Sequence, residues 1–258
     1  MIIVFGNKKG GCGKSVTLMN LAGVFANRGE KVCIIDADTN ETCNNYIRRR
    51  ERTNNDLIES GKPELQFIKV EVRRPDDKLV RDLREMDKIY DRILVDTGGY
   101  ENNAFKSAIT VADMVYMPFQ ACQADMEQIK PTLAVIKGVE DYIQGSIDEN
   151  YEIDCRLIVT LAESRAKDMM IEARNAARNL VDQVSISNAV ISYCKEVRKV
   201  QDRGLTLSDP VFSGNKAHPK RAMYELLADE VIGKNKVKFP RIRKNIANTQ
   251  AAGLAKGA

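Results

Sequence analysis

Gly6-Asn7-Lys8-Lys9-Gly10-Gly11-Cys12-Gly13-Lys14-Ser15 is the stretch on which the reading of this chain turns. In front of it stands a short apolar run, Ile2-Ile3-Val4-Phe5, of the kind that forms a buried strand. Behind it, from Val16 to Arg28, Leu18, Leu21, Ala22 and Phe25 recur at helical spacing. The order is strand, glycine loop, helix. Glycines in that setting let the backbone turn its N–H groups inward, and the helix start adds its positive end, so the loop is suited to cradle phosphate oxygens. Lys14 would reach the β/γ phosphates, and the Ser15 hydroxyl would hold Mg²⁺. The general phosphate-loop pattern is met imperfectly, because Lys8 stands where its first glycine belongs.

A narrower pattern, Lys-Gly-Gly-x-Gly-Lys-Ser/Thr, is filled completely by Lys9 to Ser15. It resembles the deviant Walker A motif of the ParA/MinD superfamily, with Lys9 as the signature lysine. The resemblance implies that Lys9, Gly10, Gly11, Cys12, Gly13, Lys14, Ser15 and Val16 bind ATP. Two further stretches extend it. Lys31-Val32-Cys33-Ile34-Ile35 reads as a second strand that delivers Asp36-Ala37-Asp38 to its C-terminal end, where ligands bind in open parallel sheets. A pair of carboxylates beside a phosphate loop suits Mg²⁺ and water handling. By resemblance, Asp36 belongs to the metal's outer shell and Asp38 positions the attacking water, although Thr39-Asn40 replaces the family's Pro-Gln. Arg92-Ile93-Leu94-Val95-Asp96-Thr97-Gly98-Gly99 looks like a Walker B element running into a switch loop, with Asp96 approaching Mg²⁺ through water. Pro118-Phe119-Gln120 resembles the family's Pro-x-Gln turn, and Asn188 falls where such proteins often carry an asparagine near the base.

The 258 residues allow one large α/β domain. No apolar run approaches membrane length, and a strand starting at residue 2 leaves no room for a signal peptide, which points to a cytoplasmic protein. Cysteines at 12, 33, 43, 122, 155 and 194 form no C-x-x-C, and His218 is the sole histidine, so neither a metal set nor a disulfide framework is expected. The net charge of +4 is uneven. Seven bases and no acid follow Glu230, which leaves 33 bases against 36 acids in the rest of the chain. The expected division is a ParA-like P-loop ATPase domain over 1–233 and a basic tail over 234–258.

Along the chain, 44–64 reads by default as a solvated helix or loop because it is polar and rich in arginine. Strands are expected at Gln66–Val70, Met114–Pro118, Cys155–Leu161 and Val184–Ile186, and helices at Asp76–Lys88, Asp125–Gly145, Lys167–Val181 and Lys220–Val231. Alternating strands and helices imply a mostly parallel, twisted sheet covered by helices on both faces, a Rossmann-like three-layer P-loop NTPase.

The resemblance implies weak, Mg²⁺-dependent ATP hydrolysis in a homodimer with ATP sandwiched between subunits, with Lys9 and Lys14 neutralising charge and Lys9 acting in trans. It also implies an adaptor of the ParB type that stimulates turnover. Three roles follow from it. In a partition-type role, including a VirC1-like conjugation accessory, the dimer binds DNA nonspecifically through phosphates. Candidate contacts are Arg174, Arg178, Lys195, Arg198, Lys199 and Arg203, with Lys236, Lys238, Arg241, Arg243 and Lys244 of the tail. A MinD-like membrane switch needs an amphipathic terminal helix, but the tail's apolar residues alternate with period two and Pro240 interrupts any helix. A metabolic enzyme on the same fold is the third. Its iron–sulfur version needs cysteines just after Asp96, and none lies between Cys43 and Cys122.

Overall fold

Side chains alternate along the strands between two apolar layers, and this period-two pattern sets the architecture. The computed structural model describes residues 1–7, 9–99, 101–120, 122–162, 171, 184–212 and 219–233. In chain order the elements are β1 (Ile2–Phe5), α1 (Lys14–Asn27), β2 (Val32–Ala37), α2 (Thr42–Glu59), β3 (Ile68–Val72), α3 (Val80–Met86) and β4 (Arg92–Thr97). They continue with α4 (Asn103–Ile109), β5 (Met114–Phe119), α5 (Gln123–Ser146), β6 (Cys155–Ala162), β7 (Ser185–Ser192), α6 (Lys195–Gln201) and α7 (Ala222–Val231).

The described strands form a seven-stranded sheet in the order β3-β2-β4-β1-β5-β6-β7, and every pairing is parallel. Ile3, Phe5, Ile34, Leu94, Tyr116 and Ile158 face one layer, packed by α1, α2, α6 and α7. Ile2, Val4, Cys33, Ile35, Ile93, Val95, Val115 and Met117 face the other, packed by α3, α4 and α5. The expected α/β three-layer class is the observed one. Strands buried on both faces read as the continuous apolar runs seen in the sequence. From β1 the chain runs outward to β2 and β3 on one side, and later to β5, β6 and β7 on the other. A sheet wound in both directions opens a crevice at its C-terminal edge, and the β1–α1 loop sits at that point.

Most boundaries fall within a few residues of expectation. The third strand runs two residues later than expected, as the edge strand β3, and the last is longer, Ser185–Ser192. The expected helix at Lys167–Val181, apart from residue 171, and the tail 234–258 lie outside the described residues, as do Arg174, Arg178, Lys236, Lys238, Arg241, Arg243 and Lys244.

Residues 44–64 need a correction. Residues 44–59 belong to α2, which is amphipathic rather than solvated, with Cys43, Tyr46, Ile47 and Leu57 packed into the core, and 60–64 follow it outside the helix. The arginine run divides by helix face. Arg48 and Arg52 are exposed, whereas Arg50 is 4% exposed and forms a bidentate pair with Asp209 at 2.7 and 2.9 Å. The loop that carries Asp209 packs directly on α2. A Cβ at Gly204 would lie 2.1 Å from the Arg50 backbone nitrogen, and the Gly204 φ of +66° also requires glycine.

Candidate functional site

The loop leaves β1 at Gly6, whose N–H donates to the Tyr116 carbonyl at 3.1 Å. A side chain at Gly6 would collide with the Phe105 ring at 2.2 Å, so β1 can turn upward against α4 only with glycine there. Gly11 and Gly13 adopt φ values of +78° and +82°, in the left-handed region that favours glycine. Gly13 is the N-cap of α1 and supplies no side-chain cap, so the first N–H groups of the helix remain available to a ligand.

Neighbouring strands brace the loop. Asn7 Nδ2 donates to the Pro118 carbonyl at 2.7 Å, Gln120 Nε2 to the Gly11 carbonyl at 2.9 Å, and Thr160 Oγ1 to the Cys12 carbonyl at 2.6 Å. Cys12 is buried, with its thiol directed to the Lys9 carbonyl at 3.3 Å. Lys14 Nζ turns back to the same carbonyl, also at 3.3 Å. Such bracing fixes the carbonyls of the loop at Lys9, Gly11 and Cys12.

Strand register gathers the acids. Phe5, at the end of β1, pairs with Asp96 on β4, and Asp96 pairs in turn with Asp36 on β2. Asp36 is fully buried; its Oδ2 accepts the Asn44 N–H at 2.8 Å and its Oδ1 the Asp38 N–H at 3.3 Å. Burial raises its pKa despite those bonds. Asp96 is equally buried. Its Oδ2 accepts the Cys43 thiol at 3.3 Å, while Oδ1 has no hydrogen-bond partner among the described residues. Burial pushes its pKa up to about 6, against the pull of the nearby Ser15 hydroxyl, the Cys43 thiol and the Lys14 charge. Asp38 is half-buried, with Oδ1 held by the Asn40 N–H at 3.0 Å, and it lies against Gly98, where a Cβ would be 3.2 Å from the carboxyl carbon. The structure therefore brings Lys9, Lys14, Ser15, Asp36, Asp38 and Asp96 to one end of the sheet.

Lys9 is turned back onto its own chain. Its ammonium pairs with Asp125, a fully buried carboxylate in the first turn of α5, and approaches Cys122 Sγ at 3.8 Å. The bond to Asp125 raises the lysine's pKa. Asn188 is placed apart from the loop contacts. It lies mid-strand on β7, and its N–H donates to Glu230 of α7 at 2.7 Å. Lys195, Arg198, Lys199 and Arg203 are exposed on and just after α6, and α2 lies beside them, since Arg49 Nε donates to the Gln201 carbonyl at 3.1 Å and Thr53 Oγ1 to the Arg203 carbonyl at 2.7 Å. Arg48, Arg49 and Arg52 thus adjoin that basic surface, a neighbourhood set by the packing of α2 against residues 150 positions away.

Residues 1–144 match the family model described as ATPase MipZ. The chain belongs to this family. As a MipZ-family protein it is an ATP hydrolase of the ParA/MinD type. It is 24% identical to the chromosome partitioning protein ParA of Caulobacter vibrioides, over 91% of this chain and 95% of that one. Among solved structures it resembles a plasmid partition protein of Borrelia burgdorferi B31 bound to AMPPNP (TM-score 0.61, 19% identity, 90% of this chain and 98% of that chain). It also resembles the MinD cell division protein of Aquifex aeolicus (TM-score 0.62, 20% identity, 93% and 98%). At these identities the structural likeness speaks for the fold. No helix among the described residues is long and apolar enough to cross a membrane.

The residues of this MipZ-family chain fit a nucleotide with Mg²⁺. The donors at the sheet edge are a hydroxyl and carboxylates, the hard oxygen set that Mg²⁺ takes, and Asp96 Oδ1 is a buried acceptor without a hydrogen-bond partner among the described residues. The sequence reading did not single out Cys43, Thr160, Cys122 or Asp125. Thr160 and Asp125 stand at a strand end and in a first helical turn, positions that could have flagged them. Cys43 carried no such mark.

Proposed function

We propose that this chain is an ATP-dependent dimerising switch that binds DNA nonspecifically and drives the partition or positioning of a plasmid, a chromosome or a related DNA cargo. The reading is supported above all by the convergence of the braced glycine loop with Asp36, Asp38 and Asp96, one of whose oxygens is buried and unpartnered. Lys14 and the loop N–H groups hold the β/γ phosphates. Ser15, Asp36 and Asp96 hold Mg²⁺, directly or through water, and the metal supplies charge neutralisation when bound. Asp38 positions the attacking water. Lys9 leaves Asp125 and reaches the partner's phosphates, so the dimer forms only when a triphosphate rewards the exchange of one ion pair for another.

Lys195, Arg198, Lys199 and Arg203 meet DNA phosphates, helped by Arg174, Arg178 and the tail at 234–258, which follows an ATPase domain of 1–233. The names of the Caulobacter and Borrelia proteins, chromosome partitioning protein and plasmid partition protein, support the cargo class. An adaptor that stimulates hydrolysis completes the cycle, in the cytoplasm and on the nucleoid.

The test is DNA binding by the purified chain with ATP, ADP or no nucleotide, each at two salt concentrations. The expected result is binding with MgATP alone, weakening steeply as salt rises, because released counterions carry the affinity. A chain that stays monomeric with MgATP, or that ignores DNA in every nucleotide state, overturns the reading.

A further inference from the structure

We infer that Cys43 is a positioning residue: its thiol holds Asp96 so that Oδ1 is kept facing the metal side of the site. The inference rests on the reading of Asp96 as a Mg²⁺-side acid. Cys43 is fully buried at the second position of α2, and its thiol donates to Asp96 Oδ2 at 3.3 Å. The other oxygen of the same carboxylate is buried and has no hydrogen-bond partner among the described residues. A carboxylate fixed at neither oxygen turns about its terminal torsion, which is broad and roughly two-fold. One donor on Oδ2 removes that freedom and assigns the vacant acceptor to Oδ1.

The next residue does the same for the neighbouring acid, since the Asn44 N–H donates to Asp36 Oδ2 at 2.8 Å. Asp36 and Asp96 are register partners on β2 and β4, so the first turn of α2 reaches over both strand ends and steadies the two carboxylates together. The helix that does this is itself held in place. Seven residues after Cys43, Arg50 is locked to Asp209 by two hydrogen bonds, of 2.7 and 2.9 Å, and its guanidinium also donates to the carbonyls of Gln66 and Gly204. A thiol donates weakly, and a serine hydroxyl of similar shape can donate to the same oxygen.

The experiment titrates Mg²⁺ at fixed ATP on the full chain. It reads the nucleotide-dependent rise in melting temperature beside ATP hydrolysis, for the wild type, C43A, C43S, D96N and C33A. Cys33 is equally buried, on β2, and touches no acid of the site, so C33A reports the cost of a missing thiol in the core alone. In C43A the Mg²⁺ concentration at half-maximal melting rise should increase about fivefold, the size of one modest hydrogen bond, since the thiol is a weak donor. The half-maximal Mg²⁺ for hydrolysis should move with it, while ATP affinity without metal stays unchanged. C43S should restore the wild-type midpoint, and C33A should lower the melting temperature without moving the midpoint. A C43A midpoint equal to the wild type's, a C43S midpoint displaced like that of C43A, or a C33A midpoint displaced as far would each overturn the inference. An unchanged midpoint in D96N would remove the metal-side role of Asp96 itself, and the role of Cys43 with it.

Discussion

Asp209 and Asp96 are buried to the same degree, and their surroundings differ at every oxygen. Asp209 is fully satisfied. Its Oδ2 accepts from Arg50 at 2.7 Å and from the N–H and hydroxyl of Thr206 at 2.7 and 3.0 Å, and its Oδ1 accepts from Arg50 at 2.9 Å and Asn27 at 3.2 Å. Burial pushes its pKa up, but the Arg50 guanidinium and the other donors outweigh this and hold it below the usual carboxylate range. Asp96 has a thiol on one oxygen and no hydrogen bond on the other, and burial prevails, lifting its pKa to about 6. A buried charge with all its partners is a fastener, here joining α2 to the loop before α7. A buried charge left short of partners costs folding energy, and the shortage sits where the phosphate loop ends. Burial alone does not separate these two acids; their hydrogen-bond partners do.

The contrast can be broken in four ways, taken here from the largest expected effect. Arg50→Met strands Asp209 and should cost about 3–5 kcal/mol of stability in urea or thermal denaturation, the usual loss when one partner of a buried pair is removed. A loss under about 1 kcal/mol would mean that the pair contributes little. Asp96→Asn should do the reverse. The metal-free chain should melt no lower than the wild type, because a buried charge short of partners is gone, while Mg²⁺-dependent ATP turnover falls about a hundredfold or more, roughly 2.7 kcal/mol on the barrier. Wild-type turnover in this variant would show that the vacant oxygen is idle.

Gly204→Ala tests the fastener from its loop side. A Cβ there would press on the α2 backbone, and the φ of +66° is strained for alanine, so about 1–3 kcal/mol should be lost, with turnover per folded molecule preserved.

The smallest effect is in pH, and the two acids have opposite signs. Asp209 has a lowered folded pKa, so its stabilisation is present above the unfolded value of about 3.9 and is lost as pH falls through the folded value. Asp96 has a raised one, so its contribution is complete below about pH 3.9 and is lost as pH rises through about 6. Stability curves measured in chelator should therefore show Asp96→Asn flattening the decline between those two values, whereas Asp209→Asn removes a loss only at the acid end. Equal pH profiles for the two variants would dissolve the distinction.

Much of the fold could be read from short-range pattern. Ile2–Phe5, Val32–Ile35 and Ile93–Val95 are apolar runs because both faces of the sheet are covered, and the glycines at 11 and 13 are visible because a left-handed backbone leaves few alternatives. The Lys9–Ser15 pattern led to the ATPase family for the same reason: a phosphate cradle is built from one continuous segment. Arginine misled. Arg48, Arg50 and Arg52 look alike in sequence, and only the position of Asp209, 159 residues further on, separates the buried one from its exposed neighbours. Asn188, expected near the base by resemblance, lies on β7 with its N–H on Glu230.

The sequence by itself determined where the chain can bend, which segments must be covered on both faces and which loop can hold phosphates. These are properties of neighbouring residues and their backbone angles. Tertiary structure decided which carboxylate is satisfied and which is left open, where Lys9 rests, and which thiol meets an acid. Those outcomes depend on hydrogen bonds between residues far apart along the chain, and a donor's worth is settled only when folding fixes its acceptor.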